Sequence, residues 1–215
     1  MRTAKEKKGL EPIKFSGPYC LKCKIGISGA AETGHCAIDA VPKAEAFGRA
    51  VAKAGLVLVT GATTGIPYWA AKGAKEAGGL VIGVSPAASE VAHVKSYHLP
   101  LDYHDVIIYT GFDYTGRDLL LTRSVDGMAI VCGRMGTLHE FTVAFENQKP
   151  TGVLAGSGGT ADLIEGLVEQ SHRGPGKVVY DNDPERLLEK LVELIERTKT
   201  ANGIPGAANA PREVG

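Results

Sequence analysis

Leu56-Val57-Leu58-Val59-Thr60-Gly61-Ala62-Thr63-Thr64-Gly65-Ile66-Pro67 is the stretch from which the fold of this chain can be read. Its first five residues form a short, continuously apolar run, the pattern of a strand covered on both faces inside a parallel sheet. Two glycines then allow a tight turn, Thr63 or Thr64 can cap a helix, and Pro67 suits a helix's first turn. The helix is predicted from about Ile66 to Ala77, with Gly78 and Gly79 as its stop.

The same unit repeats on either side. Upstream, Lys24 to Ala30 reads as a strand ending in small residues. Val41 to Ala54 reads as a helix with Ala44, Phe47, Val51 and Ala54 on one face. Downstream come strand Leu80 to Val84, a polar loop, strand Val106 to Tyr109, a helix from about Gly116 to Arg123, and strand Gly127 to Val131. A helix from about Thr137 to Asn147, strand Thr151 to Leu154, a helix from about Thr160 to Gln170, strand Lys177 to Tyr180 and a helix from Pro184 to about Thr198 complete the series. This alternation predicts an α/β fold: a Rossmann-like three-layer sandwich whose mainly parallel, doubly wound sheet has about seven strands. One domain is expected over residues 19–199, with flexible tails at 1–18 and 200–215.

Composition narrows the partner. Among 215 residues, 24 basic side chains balance 24 acidic ones, so no overall field draws the chain to nucleic acid or to an anionic membrane. A small-molecule partner is expected. No apolar run approaches the roughly 20 residues of a membrane helix, and the basic start MRTAKEKK leads into polar sequence, which points to the cytoplasm. The cysteines, Cys20, Cys23, Cys36 and Cys132, are too few and too scattered for a secreted disulfide framework. Cys20-x-x-Cys23 has redox or half-zinc-site spacing but no second pair, so no metal is expected.

In an open parallel sheet the ligand crevice lies beyond the carboxyl ends of the strands, near the switch in strand order. Three loops there are rich in small residues: Ser28 to Glu32, Gly61 to Pro67, and Cys132 to Glu140. Backbone N–H groups at the following helix starts can cradle a phosphate; a tight turn with no ligand would need the same residues. Thr137-x-x-Glu140 has the spacing of a capping box, which would tie Glu140 to the helix start. Arg117 and Arg123, on the preceding helix, suit bidentate phosphate contacts or solvent-facing ion pairs.

Together these segments resemble the Lonely Guy family of nucleotide phosphoribohydrolases, long mislabelled as lysine decarboxylases, and the wider SLOG superfamily of Rossmann-like nucleotide binders. The resemblance spans roughly residues 24 to 170. Gly61 to Pro67 is similar to the family's GGGxxGLM, and Cys132 to Glu140 to its PGGxGTxxE. Gly73-Ala74-x-x-Ala77-Gly78-Gly79, strand Val81 to Val84, Arg117 and Ser124-Val125-Asp126 fall at further family markers.

The resemblance implies that Glu140 and Arg117 are catalytic. It also implies that Gly133, Gly136 and Thr137 hold the phosphate; the small-residue loops and the preceding helix add Ser28, Gly29, Gly61, Thr63, Thr64, Gly65, Arg123, Arg134 and Met135 as ligand- and phosphate-binding candidates. The implied reaction is hydrolysis of a nucleoside 5′-monophosphate to base and ribose 5-phosphate, with no required cofactor, in a homodimer or higher homo-oligomer. The alternative is a carrier or sensor of a nucleotide or phosphorylated cofactor, like the superfamily's molybdenum-cofactor carriers. Cys132 and Arg134 replace a Pro and a Gly of the last motif, Ala62 and Thr63 replace two glycines of the first, and Pro67-Tyr68 stands for Met-Gly. DNA binding is disfavoured by the zero net charge. Pyridoxal-dependent decarboxylation is disfavoured because no lysine stands in a cofactor-linking context.

Overall fold

Seven short strands, most of them apolar on both faces, form one sheet in a computed structural model that describes residues 21–202. In chain order the elements are β1 (Lys24–Gly29), α1 (Ala40–Lys53), β2 (Val57–Thr60), α2 (Ile66–Glu76), β3 (Leu80–Ser85), α3 (Glu90–Lys95) and β4 (Val106–Tyr109). There follow α4 (Asp113–Ser124), β5 (Gly127–Val131), α5 (Met135–Glu146), β6 (Thr151–Leu154), a 3-10 turn (Gly159–Leu163), α6 (Ile164–Gln170), β7 (Val178–Asp181) and α7 (Pro184–Ala201).

Every pairing is parallel and the order is β4-β3-β2-β1-β5-β6-β7. The chain builds outward from β1 to β4, then crosses back to place β5 on the other side of β1. The strand order therefore switches between β1 and β5, and a crevice opens beyond their carboxyl ends.

Alternate residues feed two cores. Ile25, Ile27, Leu58, Ala129 and Val131 pack against Phe47 and Val51 of α1, Ala70 of α2 and Leu187 and Leu191 of α7. Their neighbours Val57, Val59 and Met128 meet Leu121 of α4 and Ala144 of α5 on the opposite face, while Ile130 and Val153 meet Phe141 and Ile164. Each large apolar side chain buried in this way contributes roughly 1.5–3 kcal/mol. The three-layer, doubly wound architecture read from the sequence is the observed one, and the sheet is wholly parallel.

The differences are local. The polar loop after β3 contains the six-residue α3, capped by Ser89, whose hydroxyl accepts from Ala92 N. Its His93 is buried between Ser85 Oγ and the Pro100 carbonyl, which anchors a helix too short to show periodicity. Helices α4 and α5 begin before their predicted starts, the first turn of the predicted 160–170 helix is a 3-10 turn, and α7 runs on to Ala201. Residues 1–18 and 203–215, assigned to tails, lie outside the described residues, as does Cys20. Cys36 and Cys132, which their spacing left unpaired, form a disulfide with Cα atoms 5.6 Å apart across a sequence separation of 96. Only the adjacency of the loops after β1 and β5 brings them together. Among the described residues no helix is long and apolar enough to cross a membrane.

Candidate functional site

β1 and β5 pair at Gly29 and Val131, so the loops that leave them start side by side. From β5 the chain turns through Cys132 and Gly133, both at positive φ, into α5, whose N-cap is Arg134. Leu138 N donates to Arg134 O at 3.0 Å, the first turn of the helix ladder. The N–H groups of Met135, Gly136 and Thr137 therefore have no partner inside the helix and mark its positive end.

Because α5 starts at Met135, Thr137 is already inside the helix and Glu140 is a turn and a half in. The capping box therefore does not form, and α5 has no side-chain cap. Glu140 points across the sheet end instead. Its Oε2 accepts from the Ser28 hydroxyl at the end of β1, and its Oε1 lies 3.8 Å from Arg117 Nη1 of α4. That separation is an ion contact, too long for a hydrogen bond. Glu140 Oε1 and Arg117 Nε are both buried without a hydrogen-bond partner. Arg117 Nε is 3.4 Å from Asp118 Oδ1, and Asp118 Oδ2 is 3.0 Å from His139 Nδ1.

Burial pushes the Glu140 carboxyl up from 4.5 to about 7; the Arg117 charge pulls it down, and Asp118 raises it further. A carboxyl held near neutrality beside a guanidinium, each with an unsatisfied polar atom, is arranged for a ligand more than for stability.

Glu140, Arg117 and Asp118 line a cleft of about 190 Å³ whose other walls are Gly29 to Ala31, Thr63, Tyr114, Arg134, Gly136 and Thr137. A larger surface hollow of about 540 Å³ along Glu193 to Ala201 contains no helix N-terminus and no buried charge, so chemistry rather than size selects the smaller cleft.

The predicted residues separate into groups. Ser28, Gly29, Thr63, Gly136, Thr137, Arg134, Arg117 and Glu140 converge on the cleft. Gly61 backs it, because it leaves the space that the Arg117 guanidinium occupies. Arg134 sits at the rim, half-exposed, 3.0 Å from Glu32. Met135 is largely exposed on the outer side. Arg123 is exposed on the last turn of α4, at the far end of that helix from the cleft, and is not brought in.

The start of α2 is partly occupied by the chain itself. Its N-cap is Gly65, at φ 71°, and neither Thr63 nor Thr64 caps it. The loop after β1 takes one of its amides and the neighbouring hydroxyl: Ile66 N donates to Ala30 O at 2.9 Å, and Thr64 Oγ1 donates to Ala31 O at 3.0 Å. Asp126, from the Ser124-Val125-Asp126 marker, accepts from Lys24 N at 2.8 Å and pairs with Lys24 and Lys199, which gives it a structural role.

Sequence reasoning missed Asp118, Tyr114 and Cys36. Asp118 adjoins Arg117 in sequence, and the Arg117 guanidinium sits over the Tyr114 ring at 5.8 Å; both follow once Arg117 is placed. Cys36 left no local signal. Cys36 Sγ, Cys132 Sγ and His35 Nε2 lie within 4.8 Å of one another, but two sulfurs joined in a disulfide are not thiolate ligands, so this cluster holds no metal in the oxidised state.

Fold and site together define a Rossmann-like α/β protein with a buried carboxylate–guanidinium pair at the strand-order switch. Within that class the chain belongs to the SLOG cluster4 family, whose model matches residues 22–188. It is 30% identical over 126 residues to an uncharacterised protein of Archaeoglobus fulgidus, covering 59% of this chain and 76% of that one. The structure of the molybdenum cofactor binding protein from the phototrophic bacterium Rippkaea orientalis is 29% identical, covers 84% of this chain and 99% of its own, and superposes with a TM-score of 0.65. For the molybdenum cofactor carrier protein of Chlamydomonas reinhardtii the corresponding values are 27%, 81%, 99% and 0.66.

Proposed function

We propose that the cleft binds the phosphate of a nucleotide-like ligand at the start of α5 and that Glu140 and Arg117 hydrolyse the ligand's N-glycosidic bond. The placement of Glu140 carries this reading: a buried carboxyl held near neutral pKa faces the same 190 Å³ cleft as the open helix N-terminus. The Gly136 and Thr137 amides would take the phosphate oxygens, with Arg134 closing from the rim. Glycosidic cleavage develops positive charge on the sugar ring, which the ionised carboxylate stabilises. Water then adds to the anomeric carbon as the carbon–nitrogen electron pair leaves with the base. Glu140 takes the proton from the water and can return it to the base, a role suited to its poised carboxyl. Arg117 orients the ligand. No cofactor is required for this chemistry.

The similarity to the Rippkaea and Chlamydomonas proteins favours a second reading, in which the same cleft carries a phosphorylated cofactor and no bond is broken. The replacement of a motif glycine by Arg134 agrees with it, since a bulky cation at the rim favours retention. Incubating the purified protein with a panel of nucleoside monophosphates, while measuring free base by chromatography and binding by calorimetry, separates the two. Released base supports hydrolysis, binding without release supports the carrier, and neither binding nor release overturns both.

A cytoplasmic homodimer is part of the proposal. Leu119 and Leu120 of α4 are 41% and 39% exposed near the cleft, whereas Leu121 is buried, so the first two are available to a second copy. A monomer mass in light scattering would refute it.

A further inference from the structure

We propose that Cys36, Cys132 and His35 form a redox-active thiol–disulfide site that exchanges with a small-molecule thiol and controls how firmly the phosphate loop is held. The disulfide joins the loop after β1 to the loop after β5, the two segments that wall the cleft. Cys132 is fully buried, sits at φ 54°, and donates its backbone N–H to Ser157 Oγ at 2.7 Å. Cys36 is only partly buried, and next to it the exposed His35 places Nε2 3.7 Å from Cys132 Sγ and 3.3 Å from Gly133 O.

This asymmetry assigns roles. An incoming thiolate reaches Cys36 Sγ and forms a mixed disulfide there. The Cys36–Cys132 bond breaks, its electron pair leaves on Cys132 Sγ, and the His35 ring, with Nε2 3.7 Å away, donates a hydrogen bond to that thiolate, which takes its proton from solvent. A second thiol attacks the mixed disulfide, frees the Cys36 thiol and leaves as part of a small-molecule disulfide. Two thiols supply the two electrons, so the step balances. In a reducing compartment a disulfide is usually transient, catalytic or redox-sensing rather than a permanent staple.

The structural consequence rests on the phosphate-binding reading above. Glu32, two residues beyond the cleft-lining Ala30, pairs with Arg134 on the phosphate loop, and the disulfide is the covalent tie between the same two loops. Reduction removes the covalent tie and leaves non-covalent contacts: the exposed ion pair, which contributes little, the His35–Gly133 contact, and the hydrogen bonds that both loops make to Ser157, Thr160 and Ala161.

Two measurements on the full chain test this separately. In Cys132→Ser protein treated with glutathione disulfide, peptide mapping should find one glutathione on Cys36. Reduced wild-type protein treated likewise should close the Cys36–Cys132 bond, about tenfold more slowly in His35→Ala. An unmodified Cys36, no closure in wild type, or an unchanged rate in His35→Ala overturns the redox site; the two wild-type-background rates decide it even if Cys132→Ser does not fold. Calorimetry with inorganic phosphate should then show affinity several-fold weaker in reduced than in oxidised protein. Equal affinities overturn the control of the loop, whereas exchange at Cys36 with no phosphate binding in either state rejects the ligand reading and leaves the thiol site standing.

Discussion

A Cβ at Gly61 would stand 1.7 Å from Arg117 Nη1, so the glycine at the end of β2 and the arginine of α4 share one space. The obstructing atom is the far end of a flexible side chain. Gly61→Ala should therefore push the guanidinium off Glu140 while costing the fold no more than about 1 kcal/mol. Ligand affinity or turnover should fall about tenfold or more, with a nearly unchanged melting curve. Gly65→Ala gives the contrast: its Cβ would meet the Ala30 carbonyl at 2.1 Å in a backbone at φ 71°. Neither the backbone nor that φ yields cheaply, so a loss of roughly 2 kcal/mol or more in denaturant unfolding is expected.

Glu140 makes stability depend on pH. Its carboxyl is pushed up from 4.5 to about 7, so between those values the folded chain keeps a proton that the unfolded chain has released. Stability from this group therefore falls as pH rises through that window. Glu140→Gln should remove the loss: its denaturation midpoint should exceed the wild type's at pH 8, with the gap closing by pH 5. If the hydrolytic reading holds, the same variant releases no base at any pH.

Arg134 and Glu32 are both exposed, so their ion pair should add little to stability. Arg134→Ala is expected to leave thermal unfolding unchanged and to weaken phosphate binding about tenfold, the effect of one charge-assisted contact. Calorimetry at two salt concentrations checks this, because the deficit should shrink as salt screens the wild-type contact.

Asp126 secures the start of β1 against α7. Burial would raise its carboxyl, but Lys199 and the Lys24 backbone and side chain outweigh burial and hold it near 2, below the usual 3.8. Its contribution is present above pH 3.8 and is lost as pH falls through about 2. Asp126→Asn should cost on the order of 1–2 kcal/mol at pH 7 and less at pH 2, read from urea midpoints, without altering ligand affinity.

Much of the fold is legible in local sequence because its signals are local. Apolar runs such as Leu56 to Thr60, broken by paired glycines, report strand ends and helix stops within a few residues, and β4, β5 and β6 match their predicted bounds. The six-residue α3 left no such signal, since less than two helical turns cannot establish a period. The start of α5 differs for another reason: Thr137-x-x-Glu140 is a sound capping pattern, yet the helix begins two residues earlier and Glu140 turns to Ser28 and Arg117, on other elements, instead of its own helix end.

The sequence by itself determined the alternation of strands and helices, the Gly-rich turns between them and the residue types available at the strand ends, because φ/ψ preference and hydrophobic period act between near neighbours. Only the tertiary structure decided which of those turns meet. Setting β1 between β2 and β5 brings Ser28 to Glu140 across a separation of 112 and Cys36 to Cys132 across 96. The same arrangement sets the Ala30 carbonyl on the first amide of α2 and leaves α5 without a side-chain cap. Strand order is settled by burying both faces of the whole sheet at once, a sum over distant contacts that no single window of sequence contains.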